Sequence, residues 1–361
     1  MERTGSDISP LAVSESRYPR GWFQIAWTDT IAPGEIKTLH YFGEELVAFR
    51  TKSGKLSVLD AYCQHLGAHL GVGGKVEGEE IKCPWHGWQW GTDGCNTLIP
   101  YSADQKQTKV RIKSWPVREW YGIVLIWHDP DGGEPAWEPP QVAELEDTGW
   151  YPITEDSRVV HRIKAHPQMV LENAADPYHV PYIHGGSENP EVKWFEFTDH
   201  VFQAEVAITY GGGKPSTWLT PDGPVRAAVR YHQVGIGQGF VRWPDEILPT
   251  LQVSNVTPVD DVYSDYWFCQ TSVREEGDTG ELMTGRAKKL LELQKVVITQ
   301  DFFTWENMKY LPKPNFATEE ARDYSAVRRW AHQFYPKDAQ PASMLESRTG
   351  KPSSAGSGGT T

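Results

Sequence analysis

The sequence predicts an α+β protein in which an all-β domain precedes a second domain that joins a broad antiparallel sheet to a long helix. Short apolar runs cut by turn residues fill the first third of the chain, as in small antiparallel β domains. Six further strand-like segments follow between residues 157 and 273. Beyond them, Leu290, Leu293 and Val297 recur at the spacing of one helix face.

The first domain is predicted from strands that begin near Trp22. Its candidate strands are FQIAW, TLHYF, LVAFR, LSVLD and GIVLIWHD, with Pro33-Gly34, Gly43 and Ser53-Gly54 among the turn residues between them. A stretch rich in Pro and Gly from Asp129 to Pro140 is interpreted as a linker. We therefore expect a first domain over residues 20–140 and a second over 150–337. The polar segments 1–19 and 338–361 are predicted to be disordered.

The second domain is predicted to combine one broad antiparallel sheet with a helix from about Glu281 to Met308. The candidate strands are SRVVHRIK, WFEFT, FQAEVAITY, VRAAVRYHQV, TLQVSNVTPV and DYWFCQTSV. The segment from Gly235 to Gly239 is rich in glycine, but no strand–turn–helix unit surrounds it, so it is not a dinucleotide loop. Any electrons that the chain uses must then come from a separate reductase.

The composition is that of an ordinary water-soluble protein, with 361 residues of which 39% are hydrophobic and 23% are charged. A net charge of −13 argues against nucleic acid as a partner, because the phosphate backbone would be repelled. The apolar runs are too short for a membrane span, and the N-terminus lacks the apolar core of a secretory signal. The four cysteines do not suggest a disulfide framework, so we expect a cytoplasmic protein.

Two short segments, each with one cysteine and one histidine, carry the strongest chemical signal. Cys63 and His65 form a C-x-H pair, and Cys83 and His86 form a C-x2-H pair further along. An iron–sulfur cluster with one iron on two cysteines and the other on two histidines needs this ligand set. Zinc is the alternative, although its usual pairs place like ligands together. With these motifs, CQHLGAHLGVGG and CPWHGWQW, the stretch from Trp22 to Trp127 resembles a Rieske [2Fe–2S] domain.

A second metal site is predicted at His179 and His184. Pro181 lies between them and interrupts a helix, so a local turn could bring both imidazoles to one metal. Two histidines and a carboxylate leave part of the coordination sphere of iron(II) open for oxygen and substrate. Asp301 is the predicted carboxylate because it continues the helix face of Val297, and Glu306 is the second choice.

The N-x2-D-x2-H-x4-H pattern of Asn173, Asp176, His179 and His184 resembles the mononuclear iron motif of Rieske non-haem iron oxygenases. The resemblance implies catalytic roles for Asp176 and Asn173. It implies that Asp176 hydrogen-bonds a metal-bound histidine and a cluster histidine of the neighbouring subunit, although Asp176 before Pro177 also fits a helix N-cap. It further implies a helix-grip catalytic domain and a head-to-tail homotrimer.

Within that family the chain is most similar to the ketosteroid 9-alpha-hydroxylase oxygenases, through the motif above and the ending VRRWAHQFYP. The resemblance implies a monooxygenase that uses a [2Fe–2S] cluster, mononuclear Fe(II) and O2. It also implies a separate NAD(P)H-dependent flavin or iron–sulfur reductase and a steroid-like apolar substrate, as in steroid metabolism and lipid degradation. Phe240, Trp243 and Trp267 are candidate pocket residues, although core packing explains them equally well. The alternatives are a desaturase, a demethylase, an aromatic dioxygenase, a non-enzymatic Rieske electron carrier and a zinc-stabilised binding protein.

Overall fold

The computed structural model describes residues 18–185, 188–211, 220 and 222–336. Apart from Tyr18 and Pro19, the two segments predicted to be disordered lie outside the described residues. No helix among the described residues is long and apolar enough to cross a membrane.

The first part of the chain folds into three small antiparallel sheets. Their strands are β1 Gly21–Trp27, β2 Ile36–Tyr41, β3 Glu44–Arg50, β4 Leu56–Asp60, β5 Lys75–Glu77, β6 Glu80–Lys82, β7 Gln89–Trp90, β8 Asn96–Leu98, β9 Ser114–Trp115, β10 Val117–Trp120 and β11 Ile123–His128. The sheet orders are β1-β11-β10, β2-β3-β4-β9 and β5-β6-β7-β8. The predicted all-β N-terminal fold is therefore confirmed.

The second part is built on one antiparallel sheet of seven strands in the order β12-β18-β17-β16-β15-β14-β13. The strands are β12 Arg158–Ile163, β13 Glu191–Thr198, β14 Val201–Tyr210, β15 Val225–Val234, β16 Gln238–Trp243, β17 Thr250–Pro258 and β18 Ser264–Ser272. Six of them match predicted strands. Strand β16 was not among the predicted strands, because its first residues lie in the glycine-rich segment.

The helices are α1 Ala143–Glu146, α2 Pro167–Asn173, α3 Val180–Ile183, α4 Gly285–Trp305 and α5 Thr318–Ala331. Shorter 3-10 turns lie at Thr28–Thr30, Glu155–Ser157, Pro177–His179 and His332–Phe334. The long predicted helix is α4, which confirms the α+β class. Its buried face is rotated from the predicted one, since Gln294 and Ile298 are buried whereas Leu293 and Val297 are only partly buried.

The two faces of the seven-stranded sheet have different partners. One face packs on β1, so that Phe240 and Trp267 join a core shared with the first part of the chain. The other face packs against α4, and Trp243 lies on that side. Successive side chains of a strand point to opposite faces, so Trp243 and Phe240, three residues apart, lie on opposite faces. Phe240 and Trp267 therefore face away from α4, and only Trp243 faces it.

The segment interpreted as a linker is packed against both parts. Trp137 stacks on His200 with ring centroids 4.6 Å apart, and its carbonyl accepts a hydrogen bond from Trp22. Asp129 forms an ion pair with Arg20 at 2.6 Å. The shared core and these contacts join the first part of the chain to the second.

Candidate metal centres

The two cysteine–histidine loops are built alike. In each loop the glycine after the histidine donates a backbone hydrogen bond to the cysteine carbonyl, from Gly67 to Cys63 and from Gly87 to Cys83. Both glycines have a positive φ, 77° and 74°, which other residues adopt only with strain. The first loop follows β4 and the second lies between β6 and β7. The two loops therefore present their side chains to a common space.

The four side chains of these loops lie close together, with the cysteines buried and the histidines nearer the surface. The thiols of Cys63 and Cys83 are buried and interact with each other, while the rings of His65 and His86 are partly exposed with centroids 4.6 Å apart. Burial, together with Cys83, raises the pKa of Cys63 to about 11. A thiolate pair in this place needs adjacent positive charge, which iron supplies. The donor set fits a [2Fe–2S] cluster whose histidine side is turned towards the surface.

Aromatic side chains support the two cluster histidines. Trp88 stacks on His65 at 4.6 Å with nearly parallel rings, and its indole N–H donates to Tyr101 at 2.8 Å. Trp85 lies against His86 at 4.6 Å and is 61% exposed. The edge of the site that carries the histidines is thus apolar and accessible.

His179, His184 and Asp301 come together although they are far apart in sequence. One ligand atom from each lies within 4.8 Å of the others. The Nε2 atoms of His179 and His184 are 3.9 Å and 3.4 Å from Oδ1 of Asp301. Two imidazoles and one carboxylate in this arrangement fit a mononuclear non-haem iron. Glu306, the second choice, lies elsewhere and accepts a weak hydrogen bond from the backbone of Lys164 at 3.4 Å.

The local chain path explains how two histidines five positions apart converge. His179 ends the 3-10 turn Pro177–His179, and His184 follows α3 directly. Pro181 lies in the first turn of α3, where a missing N–H costs no hydrogen bond. The tight turn and the short helix replace a regular helix, on which the two side chains would diverge.

Two triad residues accept or donate a hydrogen bond on their second polar atom, and the third, His179, has a carboxylate close by. Nδ1 of His184 lies 2.9 Å from Gln300 Oε1, so an Nδ1–H donates there and leaves Nε2 towards the triad. The amide of Asn173 donates to Oδ2 of Asp301 at 3.5 Å. Nδ1 of His179 lies 3.6 Å from Asp176 Oδ2, slightly beyond hydrogen-bond distance. Such outer contacts orient metal ligands.

Asp176 combines the two roles that the sequence allowed. Its Oδ1 accepts the N–H of Tyr178 at 3.0 Å as the cap of the 3-10 turn, while Oδ2 faces His179. Burial alone would raise the pKa of Asp176, but His179, Tyr324 and the backbone donor lower it below its usual value. The carboxylate is therefore charged at neutral pH.

Helix α5 contributes two further residues to this site, neither of which was predicted from the sequence. The Tyr324 phenol lies beside Asp176 and helps to lower the pKa of that carboxyl group. One turn later, Arg328 donates to both oxygens of Glu172 at 3.0 and 2.8 Å. A cavity of about 290 Å³ lies between α2, α4 and α5, and its lining includes Glu172, Asn173, Asp176, His179, Asp301, Tyr324 and Arg328. No local sequence pattern marks the helix face that carries Tyr324 and Arg328.

Comparison with known proteins agrees with this geometry. The family model of the Rieske [2Fe-2S] domain matches residues 21–116. The family model of the 3-ketosteroid 9alpha-hydroxylase C-terminal domain matches residues 126–335. The second match covers more than half of the chain and includes all three residues of the triad.

Relatives and solved structures extend the comparison. Cholesterol 7-desaturase nvd 1 of Ciona intestinalis is 31% identical, over 96% of this chain and 74% of its own length. A 3-ketosteroid-9-alpha-monooxygenase oxygenase component of Rhodococcus rhodochrous is 28% identical, over 91% of this chain and 86% of its own. The crystal structure of dicamba monooxygenase bound to dicamba superposes with a TM-score of 0.64 at 17% identity, covering 89% of this chain and 98% of that one. The last likeness concerns the fold alone.

The family matches cover both candidate centres, and the donor atoms fit a Rieske cluster and a mononuclear iron. This chain belongs to the Rieske non-haem iron oxygenases, enzymes that use a [2Fe–2S] cluster, a mononuclear iron and O2, and its C-terminal domain is of the 3-ketosteroid 9α-hydroxylase family.

Proposed function

We propose that this chain is the oxygenase component of a multicomponent Rieske monooxygenase that hydroxylates a ketosteroid or a similarly bulky, apolar ring system. The observation that carries the proposal is the match of residues 126–335 to the 3-ketosteroid 9alpha-hydroxylase C-terminal domain, the part that contains the triad. The names of the curated relatives, a cholesterol desaturase and ketosteroid monooxygenases, support a steroid as the class of substrate.

The ligand assignment follows the donor atoms. Cys63 and Cys83 would hold one iron of the cluster and His65 and His86 the other; His179, His184 and Asp301 would hold the mononuclear iron. When bound, the cluster supplies single electrons and the mononuclear iron activates O2 for oxidation of a C–H bond. The protein holds the ligand nitrogens and oxygens in place through Gln300, Asn173 and Asp176.

Electrons are proposed to come from a separate NAD(P)H-dependent flavin or iron–sulfur reductase, as the words "oxygenase component" in the Rhodococcus name suggest. The exposed cluster edge around His86 and Trp85 suits contact with another protein surface. We propose a head-to-tail homotrimer in which Asp176 links the iron of one subunit to the cluster of the next. The charged Asp176 carboxylate beside an open cavity supports that role.

The domain boundaries are proposed at residues 20–140 and 150–337. The family match to the second domain begins at residue 126, within β11. Because β11 pairs with β1 along its whole length, we assign it to the first domain. Residues 129–140 then connect the two domains while packing on both.

Desaturation is the second candidate. The cholesterol 7-desaturases reach 31% identity, slightly above the 28% of the ketosteroid monooxygenase component described above. The same metal ligands serve both outcomes, since each begins with attack on a substrate C–H bond. The two reactions differ in product: hydroxylation adds one oxygen atom, and desaturation removes two hydrogen atoms.

One experiment tests the proposal. The purified holoprotein, with a ferredoxin-type reductase and NADH under ¹⁸O₂, is given a panel of 3-ketosteroids and 3-hydroxysterols, and products are identified by mass spectrometry. We expect a ketosteroid product that carries one ¹⁸O atom. A sterol product that lacks two hydrogens and carries no label would establish the desaturase instead. If protein that contains iron and sulfide in a ratio of about three to two converts no steroid, the proposed substrate class is overturned.

A further inference from the structure

Polar side chains cross the middle of the sheet face that packs on α4. Gln252 and Ser254 lie on β17, and Tyr266 lies on β18. Val256 and Tyr266 belong to the core beneath α4, and the alternation of a strand places Ser254 and Gln252 on that side with Val256. Other polar residues lie on this face towards the end of the two strands, and two of them hydrogen-bond each other.

The hydroxyl of Ser254 already accepts two hydrogen bonds. The Tyr266 phenol donates to Ser254 Oγ at 2.9 Å, and the Gln252 amide donates to it at 3.1 Å. A serine hydroxyl has two acceptor positions and one proton. Both acceptor positions are used, and within the described part of the chain Ser254 donates no hydrogen bond of its own. Ser254 is thus held as a donor.

Ser254 is partly exposed, whereas every other residue of β17 is buried. Tyr231 and Val241, on adjacent strands and on the same side of the sheet, are partly exposed as well. Burial, with a contribution from the charge of Asp301, raises the pKa of Tyr231 to about 12. Tyr231 packs against the core that includes α5, so the accessible surface at these residues lies on the helix-covered side of the sheet.

This space lies close to the triad. The Tyr266 ring is 5.4 Å from the Phe302 ring and 6.3 Å from the Trp305 ring, between centroids. Phe302 follows Asp301 directly on α4, and Trp305 lies one turn later. Tyr266 thus lies between Ser254, to which it donates a hydrogen bond, and the end of α4 that carries Asp301.

We propose that Ser254 determines specificity by donating a hydrogen bond to a carbonyl or hydroxyl oxygen at one end of a fused-ring, otherwise apolar substrate. Tyr266 and Gln252 hold the hydroxyl in that orientation, and the aromatic residues around Asp301 receive the part of the ring system that is oxidised. This inference rests on the proposed function and adds a recognition group to it. A substrate without an oxygen at that end leaves the donor without a partner in a buried site, which costs affinity.

The test compares ligands and variants by calorimetric titration of the anaerobic holoprotein. The ligands are tetracyclic steroids that carry a ketone or hydroxyl at position 3, at position 17, or at neither. Ser254→Ala should bind one oxygenated class about three- to tenfold more weakly and bind the steroid without oxygen unchanged. In turnover, KM should rise by the same factor while kcat holds. Ser254→Thr, which keeps the hydroxyl on a strand-favouring residue, should restore the affinity.

Ser272→Ala is the matched control. Ser272 is a buried hydroxyl on the same side of β18, and its partner is Thr250 Oγ1 at 2.8 Å. Removal of this hydroxyl should leave all ligand affinities unchanged. The inference is overturned if the unchanged protein binds oxygenated and oxygen-free steroids alike, or if Ser254→Ala weakens every ligand equally. If the unchanged protein binds none of the steroids, the proposed function fails and the inference falls with it.

Discussion

Tyr324 of α5 lies beside the Asp176 carboxylate and lowers its pKa, which links α5 to the turn that carries the metal-site histidines. One helical turn along, Arg328 forms an ion pair with Glu172, and Glu172 and Asp176 are likewise four residues apart. Two residues of α5 therefore act on the two ends of the segment that includes Asn173. Helix α5 thus helps to shape the site, although no site residue was predicted on it.

Removal of the Tyr324 hydroxyl should alter the iron site without emptying it. Tyr324→Phe keeps the ring but removes the hydroxyl that lowers the pKa of Asp176, so the carboxylate is held less firmly against His179. We expect a shifted electron paramagnetic resonance spectrum of the ferrous–nitrosyl centre and about a tenfold lower iron affinity, with the cluster signal unchanged. Tyr310→Phe, in the same cavity but with its hydroxyl near Gln168, is the control. Identical iron spectra in both variants would contradict the role.

Asp176→Asn should retain both metal centres and slow turnover severely, because the substitution removes the charge and keeps the shape. The measurement is single-turnover oxidation of the pre-reduced cluster in the presence of substrate, by rapid mixing. We expect the cluster of the variant to stay reduced for far longer than that of the unchanged protein. Normal cluster oxidation would show that this carboxylate plays no part in the link between the centres.

Asp301→Ala should lose the mononuclear iron and keep the cluster. The triad then has two imidazoles and no carboxylate, and iron(II) in a two-histidine site lacks the ligand that balances its charge. Iron should fall from about three to about two atoms per chain while acid-labile sulfide stays constant. Glu306→Ala is the matched control, as Glu306 caps the same helix and its carboxylate accepts a hydrogen bond from the backbone of Lys164. Unchanged iron in Asp301→Ala would exclude it as a ligand.

Breaking the ion pair of Arg328 and Glu172 should destabilise the protein strongly. The two side chains are 15% and 9% exposed. Arg328→Met would leave the Glu172 charge buried without its partner, which typically costs about 3–5 kcal/mol. The double variant Arg328→Met with Glu172→Leu should recover most of that loss, since both charges are then absent. Chemical denaturation measures both effects, and equal stability of the two variants would contradict the argument.

Acid should destabilise the protein partly through His128. Burial lowers its pKa from 6.5 to about 4, and its Nδ1–H donates to the carbonyl of Pro19 at 2.9 Å. The unfolded state therefore binds more protons between these two values, and the stabilisation present above pH 6.5 is lost as the pH falls towards 4. The loss amounts to about 3 kcal/mol.

The measurement for His128 is the free energy of unfolding between pH 7 and 4. In His128→Phe, which preserves the stack on Phe42 (ring centroids 4.3 Å apart), the same curve should be flatter by that amount. His232, whose pKa is also lowered to about 4 by burial, contributes to the slope of both proteins and cancels in the difference. Equal slopes would show that His128 is not protonated on unfolding.

Much of the site could be predicted because its ligands lie in two kinds of local pattern. The cysteine–histidine pairs and the motif from Asn173 to His184 each occupy a short segment, and Asp301 continues an apolar helix face. Their convergence in the structure depends on geometry that the pattern implies, such as the positive φ of Gly67 and Gly87. The family match extends over the same segments.

Other parts could not be predicted, for reasons that the structure makes plain. Strand β16 was not predicted because Gly239, and the two glycines just before the strand, weaken the alternating pattern. The buried face of α4 was misplaced because Gln294, a polar residue, occupies a core position. Gln300 could have been predicted. It directly precedes the ligand Asp301 on α4, so its side chain can reach another ligand of the same site, which is His184 in the structure.

The sequence by itself determined the fold class, the metal chemistry and the family, because these depend on residue types at short, fixed spacings. Only the tertiary structure decided which groups lie near those ligands: Tyr324 and Arg328 from α5, and Tyr266 from the sheet. Such contacts join segments distant in the chain, and no periodicity within either segment records which residue of the other will face it. The packing of α4 and α5 against the sheet brings them together.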